Sequence, residues 1–302
     1  MAAALAADFL RMPQTEVVVL RDARLPDLAL PDCRQVAIHS ETEERQAIEQ
    51  LSRDSNHTVV IAPEMNDALA DRARWVESAG GCLLSPSSEF VGHAANKGTT
   101  AQLLSEHGVP TPRATTIQSG AAPPTDFSYP AVLKPVDGAG SIGVQRITSA
   151  GDAYDAESLG STARLESYCP GLAVGVAVLC GPGGNIALPP CRQLLSDDGR
   201  FRYQGCETPL DESRSQRAQT LALAAIACLP PAVGYVGVDL VLGTANDGRD
   251  DVVIEINPRL TTSYLGLRQL LSTNLAAAMR SVADGDHVEL CQARSHVRFD
   301  IE

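Results

Sequence analysis

The sequence predicts an α/β domain followed by an α+β domain whose sheet is largely antiparallel. Its 302 residues correspond to about two domains of ordinary length. Over roughly the first ninety residues, short apolar runs alternate with helical segments, as in a parallel sheet with crossover helices. Further along, strand-like runs follow one another directly, which favours antiparallel pairing. We therefore place the boundary near residue 92, between domains 1–92 and 93–302.

The order of the elements follows from apolar periodicity and from turn residues. Residues 1–14 are mildly apolar and lack the basic segment and cleavage pattern of a signal peptide, so we expect a first helix there. Gly108 should end another helix, over 97–108. The remaining helices are expected at 41–54, 67–80, 213–229, 263–271 and 274–282. Strands are expected at 17–20, 57–63, 81–85, 129–136, 144–147, 163–169, 173–180, 200–207, 235–242, 251–257 and 295–301.

Composition excludes several classes of function. The net charge of −13 and the 4% content of aromatic residues do not favour a nucleic-acid binder, which needs a basic surface with stacking platforms. No apolar stretch approaches the ~18 residues of a membrane span. The eight cysteines show neither C-x-x-C pairs nor zinc-ligand spacing. Buried free thiols in a reducing cytoplasm are the expected state.

A glycine-rich loop is the first motif that indicates chemistry. Gly138, Gly140 and Gly143 form a G-x-G-x-x-G pattern. A dinucleotide-binding loop must open a helix, whereas residues 144–147 alternate like a strand. A protein kinase places its lysine after the loop, whereas Lys134 precedes it. The loop is therefore interpreted as a hairpin whose backbone N–H groups bind phosphates together with Lys134, the alternative being an ordinary flexible turn.

Three oxygen-bearing side chains on two apolar strands predict a metal site. Asp239 lies within one strand, and Glu255 and Asn257 lie two residues apart on the next, so they share a face. Such a set suits magnesium, which takes few protein carboxylates. Arg259 follows on the same side and could neutralise a transferring phosphoryl group or bind a substrate carboxylate. The alternative is a pair of strand-end acids bound by solvent or arginine.

The order Asn96-Lys97, Lys134, glycine loop, L-E-S-Y, V-D-L and E-I-N-P-R resembles the ATP-grasp superfamily over roughly residues 58–284. The resemblance implies an N-terminal Rossmann-like domain, a lid subdomain at about 110–166 and a catalytic subdomain at about 167–302. It also implies roles for single residues. Lys97 and Lys134 would contact ATP phosphates and bracket the adenine, and Glu166 would accept from the adenine amino group. The backbone around Tyr168 and Cys169 would form the hinge contacts. Residues 138–143, including Ser141, would form a lid loop, and Asp239, Glu255 and Asn257 would hold magnesium or manganese.

The sequence departs from the superfamily pattern at the residue that binds the ribose of ATP. Many members of the superfamily carry an acid shortly after the hinge glycine, but Gly171 is followed here by Leu172 and Ala173. We therefore predict no ribose ligand.

Three further segments resemble the tyramine–glutamate ligase group of methanofuran biosynthesis and its bacterial relatives in one-carbon metabolism. They are VIAPEMNDAL, RQLLSDDGRFRYQGCETPL and EINPRLTTSYLGLRQL. The G-R-S-x-E-H-type segment of D-alanine–D-alanine ligases is missing, and no biotin-attachment sequence is present. The resemblance implies that the residues facing the substrates are Glu64, Gln193, Tyr203, Arg259, Thr261, Thr262 and Ser263.

The predicted function is that of a cytoplasmic ATP- and magnesium-dependent ligase, in which a carboxylate is activated as an acyl phosphate and attacked by an amine. Lys134 and Arg259 would be its catalytic cations. The partners would be small carboxylates and amines, with no nucleic acid and no membrane, and many relatives form homodimers. Two alternatives remain: an ATP-binding regulator that has lost the chemistry, and a pyridine-nucleotide oxidoreductase that uses the glycine loop.

Overall fold

The computed structural model describes residues 1–30, 32–136, 138 and 140–301. The N-terminal part comprises α1 (Ala2–Leu10), β1 (Val18–Asp22), β2 (Arg34–Ile38), α2 (Glu41–Asp54), α3 (Ala68–Ser78) and α4 (Ser88–Ala95). Strands β1 and β2 are parallel, as predicted for this region. The strands expected at 57–63 and 81–85 are wrong, because these segments meet only at a parallel bridge between Thr58 and Leu83. The Val60 N–H donates to Ser85 Oγ at 2.9 Å, so a side chain replaces the next backbone bond of the ladder.

A small antiparallel sheet follows. It is preceded by α5 (Lys97–Glu106) and consists of β3 (Ala114–Gln118), β4 (Ala131–Pro135), β5 (Gln145–Ile147) and β6 (Thr162–Ser167). The strand order is β3-β6-β4-β5, and every pairing is antiparallel. Strands β6 and β4 are the two central strands of this sheet. Leu133 of β4 and Leu165 of β6 belong to its apolar core. Strands β2 and β3 and helix α4 were not predicted from the sequence.

A larger antiparallel sheet forms the last part of the chain. Its elements are β7 (Leu172–Cys180), β8 (Ile186–Ala187), β9 (Cys191–Leu195), β10 (Tyr203–Thr208), α6 (Glu212–Ile226), β11 (Gly234–Leu242), β12 (Val252–Asn257), α7 (Ser263–Leu270), α8 (Leu275–Ala283) and β13 (Val297–Asp300). The strand order is β12-β11-β7-β9-β10-β13, with β8 paired to β7. Strand β9 was not predicted, and β10 begins later than expected because Phe201 has a φ of 52°.

Helices cover both faces of the large sheet, so the side chains of β7 are apolar on both faces of the strand. Val174, Val176 and Val178 pack with α6 on one face. Ala177 and Leu179 pack on the other face with α7, α8 and Leu5 of α1. The predicted first helix is therefore present, and it packs against α8 at the far end of the sequence.

Two further expectations can be compared with the described residues. None of their helices is both long and apolar enough to cross a membrane. All eight cysteines are free. Five of them are buried, but Cys82 and Cys291 are exposed, so the expectation of buried thiols is wrong for these two.

Candidate functional site

Most of the predicted side chains line one cavity of about 1100 Å³ between the two antiparallel sheets. Gly143 and Glu64 are not among the described residues that line it. A Cβ at Gly143 would lie 2.5 Å from Ser158 O, so this glycine packs on backbone beside the cavity. Ala139, within the predicted lid loop, lies outside the described residues. The predicted residues that do line the cavity are Lys97, Lys134, Gly138, Gly140, Ser141, Glu166, Tyr168, Cys169, Gln193, Tyr203, Asp239, Glu255, Asn257, Arg259, Thr261, Thr262 and Ser263.

The three predicted metal ligands meet at one point of the large sheet. Asp239 on β11 is the register partner of Glu255 on β12. Asn257 Nδ2 donates to Asp239 Oδ2 at 3.0 Å. Gln193 Nε2 donates to Asp239 Oδ1 at 2.7 Å. Gln193, which was expected to face the substrates, therefore also fixes the position of a predicted metal ligand.

The two carboxylates differ in their affinity for protons. Burial, together with the charge of Glu255, raises the pKa of Asp239 from 3.8 to about 7. Burial would also raise the pKa of Glu255, but the nearby cations Lys97, Lys134 and Arg259 outweigh it, so the pKa of Glu255 is lowered. Glu255 thus carries a stable negative charge beside an acid that can hold a proton near neutral pH.

Two lysines approach this acidic pair from different elements. Lys97, the first residue of α5, donates from Nζ to Gly138 O at 2.8 Å and lies 3.4 Å from Glu255 Oε2. It therefore joins the glycine loop to the predicted metal strand. Lys134 on β4 is buried, with its Nζ 2.6 Å from Glu166 Oε2.

Glu166 is held by two cations. Its Oε1 accepts from Arg164 Nε at 2.6 Å, while its Oε2 faces Lys134. Arg164 is buried and was missed by sequence reasoning, because a single arginine in a strand carries no distinguishing signal. Both oxygens of the predicted adenine ligand thus contact neighbouring cations.

The predicted hinge residue Tyr168 belongs to an aromatic cluster that the glycine loop contacts. Tyr168 stacks on Phe201 with ring centroids 6.2 Å apart, and the Arg146 guanidinium lies 4.5 Å from the Tyr168 ring. Ser141 Oγ donates to Phe201 O at 2.9 Å. At the hinge glycine, a Cβ on Gly171 would lie 2.3 Å from Leu242 O, so only glycine fits there. Phe201 and Arg146 were not predicted.

Arg259, which lines the cavity, contacts the N-terminal domain. Its Nε lies 2.8 Å from Oε1 of Glu64, which is buried. Within the part of the chain that the structure describes, the ion-pair partner of Arg259 is Glu64, and that of Glu255 is Lys97. Among the described residues, neither oxygen of Glu64 nor Nε of Arg259 has a hydrogen-bond partner of good geometry. The contact between the two residues is therefore one between opposite charges and not a well-aligned hydrogen bond.

Two sequence profiles match this chain, one within each of the predicted domains. That of a pre-ATP-grasp domain matches residues 15–91. That of the ATP-grasp domain matches residues 94–263, more than half of the chain. The chain belongs to the ATP-grasp family. The match confirms the predicted fold, with a pre-ATP-grasp domain before the ATP-grasp domain.

Relatives and solved structures of this ATP-grasp protein agree with that assignment. Tyramine–L-glutamate ligase of Methanocaldococcus jannaschii is 27% identical over 257 residues, which are 84% of this chain and 71% of the relative. D-alanine–D-alanine ligase of a Janthinobacterium species is 25% identical over 185 residues, 54% of this chain and 57% of the relative. The structure of an ADP complex of N5-carboxyaminoimidazole ribonucleotide synthetase superposes with a TM-score of 0.77 at 20% identity, covering 96% of this chain and 76% of that structure. The predicted class of enzyme, an amide-forming carbon–nitrogen ligase, is confirmed.

One signal in the sequence could have marked the ATP-grasp cavity without any resemblance. Lys97 and Lys134 are the only lysines in the chain, and every other basic residue among the 24 Lys and Arg is arginine. Both lysines line the cavity. A chain that uses arginine elsewhere keeps lysine where a compact ammonium is required, because the two side chains are not interchangeable.

The donor set of the ATP-grasp protein fits a magnesium ion that also binds phosphate. Among the described residues there is no cluster of three or more His, Cys, Asp or Glu that could hold a metal. The predicted site instead offers two carboxylates and one amide, which leaves positions for water and phosphate oxygens. A divalent cation would also relieve the repulsion between Asp239 and Glu255.

We expect magnesium binding to strengthen as pH rises through about 7, because the bound cation requires ionised Asp239, whose pKa is raised to that value. In the metal-free protein this group acts in the opposite sense. Its folded pKa exceeds its ordinary 3.8, so its contribution to the free energy of unfolding falls as pH rises from about 4 to 7. Calorimetric Mg²⁺ titrations and urea unfolding across this range measure both effects. Asp239→Asn should flatten both pH profiles, and an unchanged slope in the variant would contradict the assignment.

Proposed function

We propose that the protein is an ATP- and magnesium-dependent carboxylate–amine ligase that forms an amide through an acyl phosphate. The observation that carries this proposal is the convergence of Lys97, Lys134 and the acidic pair Asp239 and Glu255 on one cavity beneath the glycine loop. Phosphoryl transfer requires this kind of site, because positioning and charge neutralisation supply most of its catalysis.

The residues of the chain divide the work between two steps. In the first, the substrate carboxylate attacks the γ-phosphate of ATP, which gives an acyl phosphate and ADP. Lys134, Lys97 and Arg259 neutralise the charge that develops on the transferring group. Asp239, Glu255 and Asn257 would hold a magnesium ion, which would offset the negative charge of the phosphates. In the second step the amine displaces phosphate and the amide forms.

The glycine loop serves the same reaction by excluding water. An acyl phosphate hydrolyses in water, so the cavity has to close while it exists. Contacts between Lys97 and Gly138 and between Ser141 and Phe201 hold the loop over the cavity on two sides. The first contact uses only a backbone carbonyl of the loop, whereas the second requires the hydroxyl of Ser141.

For the substrates we propose glutamate as the carboxylate and an aromatic amine as its partner, in a one-carbon cofactor pathway of the methanofuran type in the cytoplasm. The support is the 27% identity to tyramine–L-glutamate ligase over most of both chains. Arg259 and the hydroxyls of Thr261, Thr262 and Ser263 line the cavity beside one another and offer donors for a carboxylate.

The experiment that tests the proposal is a panel of carboxylates and amines assayed for ADP release, with the product identified by mass. ADP release that requires both L-glutamate and an amine, with a product mass equal to their sum less water, is the expected result. ADP release with other pairs would support the ligase activity but assign it different substrates. A glutamate phosphate trapped by hydroxylamine in the absence of amine would demonstrate the acyl phosphate directly.

One observation favours a second candidate, an ATP-binding protein without ligase chemistry. Leu172 and Ala173 line the cavity where many family members carry a ribose acid. Calorimetric binding of ATP without ADP release across the whole panel would favour that candidate. The pyridine-nucleotide alternative is not supported, because the glycine loop leads into strand β5 and not into a helix.

A further inference from the structure

We propose that Asp8 and Tyr264 are positioning residues for the carboxylate substrate. They would fix the hydroxyl wall, which we define as Thr261, Thr262 and Ser263, at the end of the cavity beside Arg259. This inference rests on the proposed function. It assigns a functional role to helix α1, which precedes the matched residues 15–91 and 94–263.

Asp8 is the buried centre of a polar cluster beneath the hydroxyl wall, and its arginine partners Arg268 and Arg11 are partly exposed to solvent. It is 0% exposed and accepts hydrogen bonds from the side chains of two residues of α7. Tyr264 Oη donates to its Oδ2 at 2.6 Å. Arg268 donates from Nε at 3.0 Å and from Nη2 at 2.6 Å. The backbone carbonyl of Asp8 also accepts from Asn274 Nδ2 at 2.8 Å, which joins α1 to the first turn of α8.

Tyr264 connects this cluster to the wall. It follows Ser263 directly, and its ring lies edge to face with that of Tyr235 at 6.1 Å. Tyr235 Oη in turn lies 3.1 Å from Thr261 Oγ1 and 3.2 Å from Ser263 Oγ, which are themselves 2.8 Å apart. The start of α7 is thus held from one side by Asp8 and from another by Tyr235.

The position of the hydroxyl wall depends on Asp8 and Tyr235 because the start of α7 has no side-chain cap. Thr262 stands at the N-cap position and makes no side-chain capping bond. Capping normally fixes the first turn of a helix. Here the fixed groups are the hydroxyls that face the cavity, so a shift of Tyr264 would displace donors from a substrate carboxylate and leave the ATP end of the cavity unchanged.

The burial of Asp8 does not by itself show that its role is to stabilise the fold. A buried ion pair often contributes no more stability than apolar residues of the same size. The chain contains a matched example that does not border the cavity. Asp251 is 5% exposed and accepts from Arg217 Nε at 2.9 Å and from Gly243 N at 2.9 Å. This second buried aspartate provides a control for the loss of a carboxylate charge.

The test compares Tyr264→Phe and Asp8→Asn with Asp251→Asn in steady-state assays with L-glutamate and tyramine, or with whichever pair the wild type uses. Tyr264→Phe removes one hydroxyl and keeps the ring, so it should fold. We expect KM for the carboxylate to rise about tenfold in Tyr264→Phe and Asp8→Asn, with KM for ATP within about twofold. Asp251→Asn should change neither KM, whatever its melting temperature.

Hydrogen–deuterium exchange of the substrate-free protein provides a second measurement that needs no turnover. The amides of Tyr264 and Leu265 bond to Thr261 O and Thr262 O, so they report on the wall. Exchange in a peptide covering 259–267 should be faster in Tyr264→Phe and unchanged across β11. Unchanged exchange in 259–267 would overturn the inference, as would equal rises in both KM values. If the wild type turns over no pair, the proposed function fails, and the exchange data alone decide whether Asp8 and Tyr264 position the wall.

Discussion

Glu255→Gln should reduce the rate of substrate-dependent ADP release on the order of 10³-fold while the protein stays folded. The substitution removes the negative charge that the proposed magnesium site needs most, because Glu255 is the ionised member of the acidic pair. It keeps the size of the side chain, and Glu255 belongs to no apolar core. Single-turnover ADP formation measures the chemical step, and calorimetry with Mg²⁺ and a non-hydrolysable ATP analogue measures the loss of metal affinity.

Glu207→Gln is the matched control for this change. Glu207 lies on β10 of the same sheet, and its side chain is 22% exposed compared with 24% for Glu255. It pairs with Arg192 and Arg298, which are half exposed, so the lost contacts are weak. We expect its ADP release to stay within about twofold of the wild type. Retained turnover in Glu255→Gln, or an equal loss in Glu207→Gln, would refute the role given to Glu255.

The local geometry of the candidate site could be predicted because it depends on spacing within single elements. Glu255 and Asn257 are two residues apart, so any strand places them on one face. Asp239 joins them because β11 and β12 follow one another and pair antiparallel. Helix α2 was predicted at the observed bounds, and the structure shows that Ser40 caps it by accepting from Glu43 N.

Contacts between distant segments could not be predicted, because no local pattern specifies them. The bond from Val60 to Ser85 replaces part of an expected ladder, and the positive φ of Phe201 shortens an expected strand. The role of Arg164 becomes visible only in the folded chain, where Lys134 of β4 contacts the other oxygen of Glu166. Asp8 pairs with the nearby Arg11, but Tyr264 and Arg268, which join it to α7, are more than 250 positions away. The sequence therefore predicts which strand carries a residue of the candidate site. It does not predict which distant residue holds that side chain in place.

Replacement of Lys134 by methionine should weaken MgATP binding on the order of 100-fold, since two charge-assisted bonds to phosphate contribute about 3 kcal/mol. The fold should survive, because Glu166 keeps Arg164 as a partner when Lys134 is removed. Lys134→Arg should also bind poorly. The lysine side chain is 5% exposed, and a planar guanidinium does not fit where an ammonium fits. Because the chain has only two lysines, acylation by an amine-reactive reagent and its protection by MgATP can be assigned to single residues by mass.

Arg164→Met separates a direct role of Lys134 from an effect that acts through Glu166. Arg164 contacts the other oxygen of the same carboxylate but is not among the described residues that line the cavity. If Lys134 binds phosphate, Arg164→Met should retain most of its MgATP affinity, and Lys134→Met should lose it. Equal losses in the two variants would mean that both cations only orient Glu166 toward the adenine. In that case Lys97, which joins Gly138 O to Glu255, would be the one lysine left to contact the phosphates.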